Sequence, residues 1–155
     1  MKMRWIVTPI AALLWCGTAE ARNLVMVSNV TMGPRDYGST LIDADTIKAI
    51  GENRTFWLYV FARSGQNDVR GANYVEVNCA ERRIRYVKRQ LFSASHVLTD
   101  EIDKPTSWDH IPRKSGEMRI LGLACGTEKP ASADILGDMD PLALSDPLLN
   151  DPQFR

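Results

Sequence analysis

The chain of 155 residues is poor in the residue types that build metal and catalytic sites, with three cysteines and two histidines. A zinc site needs three or four converging ligands, and His96 and His110 are isolated in the sequence. Ser107, Asp109 and His110 crowd one short segment, and no Gly-x-Ser-x-Gly motif is present. These absences predict no metal and no cofactor, and they argue against an enzyme.

The chain also lacks an apolar run long enough to cross a bilayer, which takes about 20 residues. Its longest run, Trp5 to Trp15, follows Lys2 and Arg4 and precedes Ala19-Glu20-Ala21, the small-x-small pattern that signal peptidase recognises. We therefore predict a signal peptide over residues 1–21. The mature protein is expected to be exported, periplasmic or extracellular at the cell surface, with no transmembrane segment.

Removal of this leader removes Cys16 and leaves Cys79 and Cys125. An even number of cysteines in an oxidising compartment favours a disulfide over a metal site or a nucleophile. Only one intramolecular pairing exists for two cysteines. We therefore predict a Cys79–Cys125 disulfide, which closes a long loop and contributes about 4 kcal/mol in the chain-entropy model.

Charge of neither sign is in excess overall, but the two signs are unevenly distributed. Residues 22–126 carry 15 basic and 12 acidic side chains, whereas residues 127–155 carry 2 and 6. The near balance argues against a nucleic-acid partner. Because the acidic segment has four prolines and no periodic pattern, we predict one domain over residues 22–126 and a disordered tail over residues 127–155. In the alternative, four leucines of the tail dock in a groove of the domain or of a partner: Leu142, Leu144, Leu148 and Leu149.

Five segments are rich in β-branched and aromatic residues or alternate in polarity, as strands do. They are Leu24–Val30, Ser39–Asp43, Thr55–Arg63, Ala72–Asn78 and Arg83–Phe92. Asp45–Ile50 before Gly51 has the pattern of one short helical turn. Met118, Leu121 and Cys125 have helical spacing, and Gly126 follows as a helix terminator. The predicted fold is α+β, an antiparallel β-sheet of about five or six strands with a C-terminal helix packed on one face and disulfide-linked to it.

Basic side chains are densest in the last of these strands. Arg83, Arg85 and Arg89 fall on one side of a regular strand, where their guanidinium groups would bind acidic protein, lipopolysaccharide phosphates or an anionic glycan. The candidate binding residues are Arg82, Arg83, Arg85 and Arg89. The alternative is a solvated face on which these arginines pair with Glu76, Glu81 or Asp100.

Three aromatic residues, Trp57, Tyr59 and Phe61, alternate along the third predicted strand and so share one side of it. They form either a ligand platform or, as is usual for such residues, buried core beneath the helix. Trp108 lies in a polar segment near prolines and is harder to assign. We expect it to close the end of the core.

Several motifs resemble the surface-adhesin protein E-like family of proteobacteria. They are Asn78-Cys79-Ala80-Glu81-Arg82-Arg83-Ile84-Arg85, Ser107-Trp108 with Ile111-Pro112, Ala124-Cys125-Gly126, and the Asp43 to Ile47 turn followed by Phe56-Trp57-Leu58. The resemblance covers roughly residues 24 to 126. It implies an antiparallel sheet with a C-terminal helix fastened by the cysteine pair, and a surface protein that binds host vitronectin and laminin and can form a homodimer.

These observations lead to three functional hypotheses. The first is an exported, non-enzymatic binding protein that resembles surface adhesin protein E. The second is a periplasmic envelope protein with a structural or partner-binding role. The third is a carrier of a small apolar ligand between helix and sheet, which requires an internal cavity.

Overall fold

The computed structural model describes residues 23–33 and 36–150, which form an antiparallel sheet with two α-helices. The strands are β1 Leu24–Gly33, β2 Asp36–Asp43, β3 Lys48–Ile50, β4 Asn53–Ser64, β5 Asn67–Asn78, β6 Arg83–Phe92, β7 Leu98–Ile102, β8 Asp109–His110 and β9 Ile135–Gly137. The helices are α1 Glu117–Ala124 and α2 Pro141–Asn150. The signal peptide predicted over residues 1–21 lies outside the described residues.

The strands follow one another in the order β7-β6-β5-β4-β2-β1-β9, with β3 beside β4 and β8 beside β6. The two central strands, β4 and β5, pair along their whole length from Ser64 opposite Asn67 to Asn53 opposite Asn78. Gly65, with φ +63°, supplies the left-handed conformation in the two-residue turn between them. The predicted antiparallel sheet is confirmed, and short strands extend it beyond the five predicted segments.

Helix α1 covers one face of this sheet at the end where β4 begins. Its buried residues, Ile120, Leu121 and Ala124, belong to the core cluster of that face. The sheet contributes Val25, Val27, Ile42, Phe56, Leu58, Val75, Val77 and Ile84 to the same cluster. Cys125, directly after α1, is bonded to Cys79, directly after β5, with their Cα atoms 5.9 Å apart. The predicted disulfide link between sheet and helix is therefore confirmed.

The helical turn predicted over Asp45–Ile50 is wrong. Only Ala44–Thr46 forms a short 3₁₀ turn, and Lys48–Ile50 is strand β3. Ile50 pairs with Asn53 across Gly51-Glu52, which is a two-residue hairpin connection. Gly51, with φ +59°, accordingly serves a β-turn rather than the end of a helix.

The tail expected to be disordered contains ordered elements as far as residue 150. Strand β9 pairs with β1 at the edge of the sheet, and α2 packs on the face opposite α1. Leu144, Leu148 and Leu149 are buried there, and Leu142 is half-buried. The disorder prediction is thus wrong for this part of the tail. The alternative, in which the leucines dock on the domain, describes the structure of this part. Residues 151–155 lie outside the described residues.

The two helices cover opposite ends of β4 on opposite faces. Trp57, Tyr59 and Phe61 share one face as predicted, but this face carries α2 and not α1. Tyr59 and Phe61 are buried in its core, and Trp57 is half-buried at the edge. Among the described residues, no helix is long and apolar enough to cross a membrane.

Candidate binding surface

Helix α2 does not cover the whole of its sheet face. The end of this face near the first residues of β4 and β6 remains uncovered by the helix. On this face Trp57 lies opposite Tyr74, and Tyr74 lies opposite Lys88 on the next strand. In the neighbouring row Glu76 lies opposite Arg85. Trp108 stacks on Arg85 from the segment before β8. We call these five half-buried residues the open surface: Trp57, Tyr74, Arg85, Lys88 and Trp108.

A β-bulge in β6 decides which basic side chains reach the open surface. Val75 is paired with Tyr86, but Tyr74 is paired with Lys88, so Val87 is an extra residue in β6. An extra residue reverses the alternation of the side chains that follow it. Lys88 therefore joins the face of Arg85.

Arg89, one residue further, points to the other face of the sheet. It is paired with Asn73, which shares the face of Val75 and Val77 beneath α1. The prediction that Arg83, Arg85 and Arg89 lie on one side is therefore wrong for Arg89. The prediction assumed the regular alternation of a strand, and a bulge interrupts that alternation.

The aromatic part of the open surface is a cross-strand pair. The ring centroids of Trp57 and Tyr74 are 5.4 Å apart, with an angle of 48° between the ring planes. This distance lies in the range that aromatic pairs prefer, and such pairs add stability beyond their buried area. Because both rings are half-buried, the pair presents aromatic surface to the outside while it remains fixed by the sheet.

Arg85, in the neighbouring row of the same face, holds Trp108. Its guanidinium carbon lies 4.6 Å from the centroid of the Trp108 ring, which is a cation–π contact. Its Nε donates to Glu76 Oε2 at 2.7 Å, and Asn53 Nδ2 donates to the other oxygen of that carboxylate at 2.6 Å. Glu76 is only 8% exposed, so the carboxylate that orients Arg85 is itself held in the sheet.

Lys88 is held in a similar way by a carboxylate of the edge strand. Its Nζ lies 3.1 Å from Glu101 Oε1, and Gln90 Nε2 donates to Glu101 Oε2 at 2.6 Å. These donors, the Gln90 amide first and the Lys88 ammonium second, lower the pKa of Glu101 from its ordinary value. The carboxylate therefore stays ionised and keeps Lys88 at the rim of the open surface.

The remaining predicted arginines lie at the margin. Arg83 is opposite Asn78, on the side of the open surface, and its Nη1 is 3.3 Å from Glu81. Arg82 occupies the turn before β6 with φ +52°, and its Nη1 is buried without a hydrogen-bond partner. The pairs Arg85–Glu76 and Arg83–Glu81 are two of the ion pairs that the solvated alternative anticipates.

Sequence reasoning did not place Tyr74 or Trp108 in a site. Tyr74 had a usable signal, because a two-residue turn at Gly65-Gln66 puts Ser64 opposite Asn67 and therefore Trp57 opposite Tyr74. Trp108 had none. Its segment is irregular between β7 and β8, and only the tertiary structure brings it against Arg85.

A small pocket lies where the open surface meets the start of α2. Its volume is about 140 Å³. It is lined by Trp57, Tyr59, Ala72, Gln90, Phe92, Asp140, Pro141 and Leu142. Pockets for drug-sized ligands measure roughly 300–1,000 Å³, so this pocket is too small to support the carrier hypothesis. Within residues 23–33 and 36–150, no three His, Cys, Asp or Glu side chains converge as metal ligands.

Comparison with known proteins identifies a family to which most of the domain matches. The family profile described as Surface-adhesin protein E matches residues 29–126, which include the sheet from β2 to β8, helix α1 and both cysteines of the disulfide. No curated protein and no solved structure matches the chain. All five residues of the open surface lie within the matched range, whereas α2 lies beyond it. Because the match spans more than half of the sequence, the chain belongs to the surface-adhesin protein E family.

Proposed function

We propose that this protein is an exported, non-enzymatic adhesin that binds a host matrix protein through the open surface. The family match supports a role as a surface adhesin. Trp, Tyr and Arg are the residue types that contribute most to protein–protein binding. The observation that carries the proposal is that the Trp57–Tyr74 ring pair and the Arg85–Trp108 contact lie half-buried on one face of the sheet.

Two features of the open surface favour a protein partner over a polyanion. Arg85 and Lys88 already pair with Glu76 and Glu101, so the local charge is close to balanced. A surface that combines apolar rings with oriented charges matches the composition of protein interfaces, in which aromatic residues and Arg are enriched. The disulfide agrees with export, since such bonds persist in oxidising compartments.

The binding test uses the full chain, produced in a host that exports and oxidises proteins, against immobilised vitronectin and laminin. We expect Trp108→Ala and Arg85→Ala each to weaken binding by about tenfold or more, as hot-spot residues do. Arg89→Ala is the matched control, because Arg89 lies in the same strand on the opposite face. Equal losses in Arg85→Ala and Arg89→Ala, with both proteins folded, would show that the open surface is not the binding site.

The location test uses intact native cells treated with protease, followed by detection of the domain. Loss of the domain with periplasmic control proteins intact supports surface display and the adhesin role. Protection of the domain contradicts that role and favours the alternative, a periplasmic envelope protein whose open surface binds an envelope partner.

A further inference from the structure

Helix α2 covers a face of the sheet that belongs to the family domain, although α2 itself does not. The matched range ends at residue 126, and α2 begins at Pro141. Beneath it lie apolar side chains of the central strands, among them Leu41, Tyr59 and Phe61. The domain therefore presents a helix-binding groove, which in this chain is filled by a segment outside the domain.

The apolar contacts define the shape of the groove. Leu144 and Leu148, one helical turn apart, are buried together with Leu149 against the sheet. Ala143 and Pro147 are exposed on the outer side of the helix. Such a one-sided pattern is the way an amphipathic helix fills a hydrophobic groove.

A buried cation fixes the register of the helix in the groove. Arg70 of β5 is 5% exposed, its Nε donates to Ser145 Oγ at 3.0 Å, and its Nη2 lies 2.9 Å from Asp146 Oδ1. His96 Nε2, from the turn between β6 and β7, lies 3.4 Å from the other oxygen of the same carboxylate. In α2 the acidic residue bound by this cation, Asp146, lies between Leu144 and Leu148.

Helix α2 follows a connecting segment that has little regular structure. This segment pairs with the sheet through β9, at Leu24 opposite Gly137 and Val25 opposite Ile135, and Arg119 binds its Glu128 and Asp134. Helix α2 has ten residues, and Pro147 inside it lacks the N–H that a helix interior requires. Isolated helices shorter than about 12–15 residues are marginal in water, so α2 is held mainly by the groove.

From these contacts we propose that the groove is a second binding site, for an amphipathic helix of a partner protein. The partner helix carries two leucines four residues apart with an acidic residue between them, as Leu144, Asp146 and Leu148 do. Helix α2 occupies the groove until that helix displaces it. This site adjoins the open surface at Trp57, and it does not depend on the proposed function.

The first test is hydrogen exchange on the wild-type full chain. A displaceable helix opens locally, so we expect the amides of α2 to exchange at least about 100-fold faster than those of β4 and β5. If the amides of α2 exchanged at the same rate as those of the central strands, the proposal would be overturned, because the helix would then leave the groove only on global unfolding. This measurement needs no variant and so does not depend on whether a variant folds.

The second test asks whether the groove accepts a helix in trans. Leu144→Asp with Leu148→Asp releases α2, and a labelled peptide of residues 138–150 is then expected to bind the vacated groove. The same peptide with Asp146→Lys is expected to bind about tenfold more weakly, because Arg70 would face a like charge. Ala143→Asp is the control, since it adds an aspartate to the exposed side and should leave the groove closed.

Two results of this test would overturn the proposal. The first is no peptide binding to a double variant whose circular dichroism shows an intact sheet. The second is a doubled mass of the wild-type chain with exchanged α2 helices, because the groove would then serve a second copy of the chain.

Discussion

The guanidinium group of Arg85 lies between two partners, the Glu76 carboxylate in its own sheet and the indole ring of Trp108, whose centroid is 4.6 Å away. Glu76 fixes the direction of the guanidinium, and the guanidinium in turn fixes the Trp108 ring. This relationship orders an irregular segment that has little secondary structure of its own.

Loss of Arg85 should therefore cost stability as well as binding. We expect Arg85→Ala to lower the free energy of unfolding by about 1–2 kcal/mol, because Glu76 loses a charged donor and Trp108 its cation–π contact. Urea denaturation measures the change. Arg89→Ala, which alters an exposed residue of the same strand, should stay within about 0.5 kcal/mol. A similar loss in both variants would contradict the prediction.

The disulfide should make a large contribution to the free energy of unfolding. Cys79 and Cys125 are 46 residues apart, and opening a loop of this length costs about 4 kcal/mol in the chain-entropy model. We expect Cys79→Ala with Cys125→Ala to lower the free energy of unfolding by about 3–4 kcal/mol. Addition of a reductant should produce the same loss in the wild type and none in the double variant. An unchanged double variant would mean that sheet packing alone holds α1.

The Arg63–Asp68 pair should make stability depend on pH in the acid range. The hydrogen bonds from Arg63 hold the pKa of Asp68 below its ordinary value of about 3.9. A lowered pKa in the folded state stabilises the protein above the unfolded-state pKa, and this contribution is lost as the pH falls through the folded-state pKa.

Asp68→Asn should accordingly be less stable than the wild type by about 1 kcal/mol at pH 7, since the pair is partly exposed. The difference should vanish when the pH falls below the folded-state pKa. Urea denaturation across this range measures it, with Asp103→Asn, an exposed residue after β7, as the control. A difference between wild type and Asp68→Asn that stays constant at low pH would contradict the assignment.

Arg119 should hold the segment that leads to α2. Its Nη1 donates to the Val27 carbonyl oxygen at 2.8 Å, its Nη2 lies 2.6 Å from Asp134, and its Nε lies 3.2 Å from Glu128. We expect Arg119→Met to lower the free energy of unfolding by about 1.5–3 kcal/mol, the range for hydrogen bonds to charged groups. Limited proteolysis should also cleave residues 127–137 faster in this variant. Arg113→Met, at an exposed position, should change neither property.

The local sequence pattern correctly predicted those strands and helices whose residue preferences agree with the tertiary structure around them. Strand β6 has the predicted bounds, Arg83–Phe92, because β-branched and aromatic residues favour a strand there. Helix α1 lies within one residue of the predicted segment, because its apolar spacing and Gly126 both indicate the same end. For Asp45–Ile50, hairpin pairing of β3 with β4 overrode a short helical signal.

The open surface was predicted less well than the fold, because its geometry depends on the register in which neighbouring strands pair. Arg85 was named from the sequence, but the Val87 bulge moves Arg89 to the other face and brings Lys88 to the open surface. A bulge is set by the register between two strands and leaves little trace in either one alone. Helix α2 was missed for a related reason. Pro147 and the acidic residues weaken the helical signal of this segment, and its leucines stabilise a helix only through their contact with the sheet.

The sequence by itself determined the strand-rich composition, the covering helix, the cysteine pair and the family, because these depend on residue types and short spacings. Only the tertiary structure decided which side chains share a surface. It placed Trp108 on Arg85, separated Arg89 from Arg85 and laid the acidic tail over Tyr59 and Phe61. Contacts of this kind form between residues distant in the chain, where strand register and buried apolar area outweigh local preference.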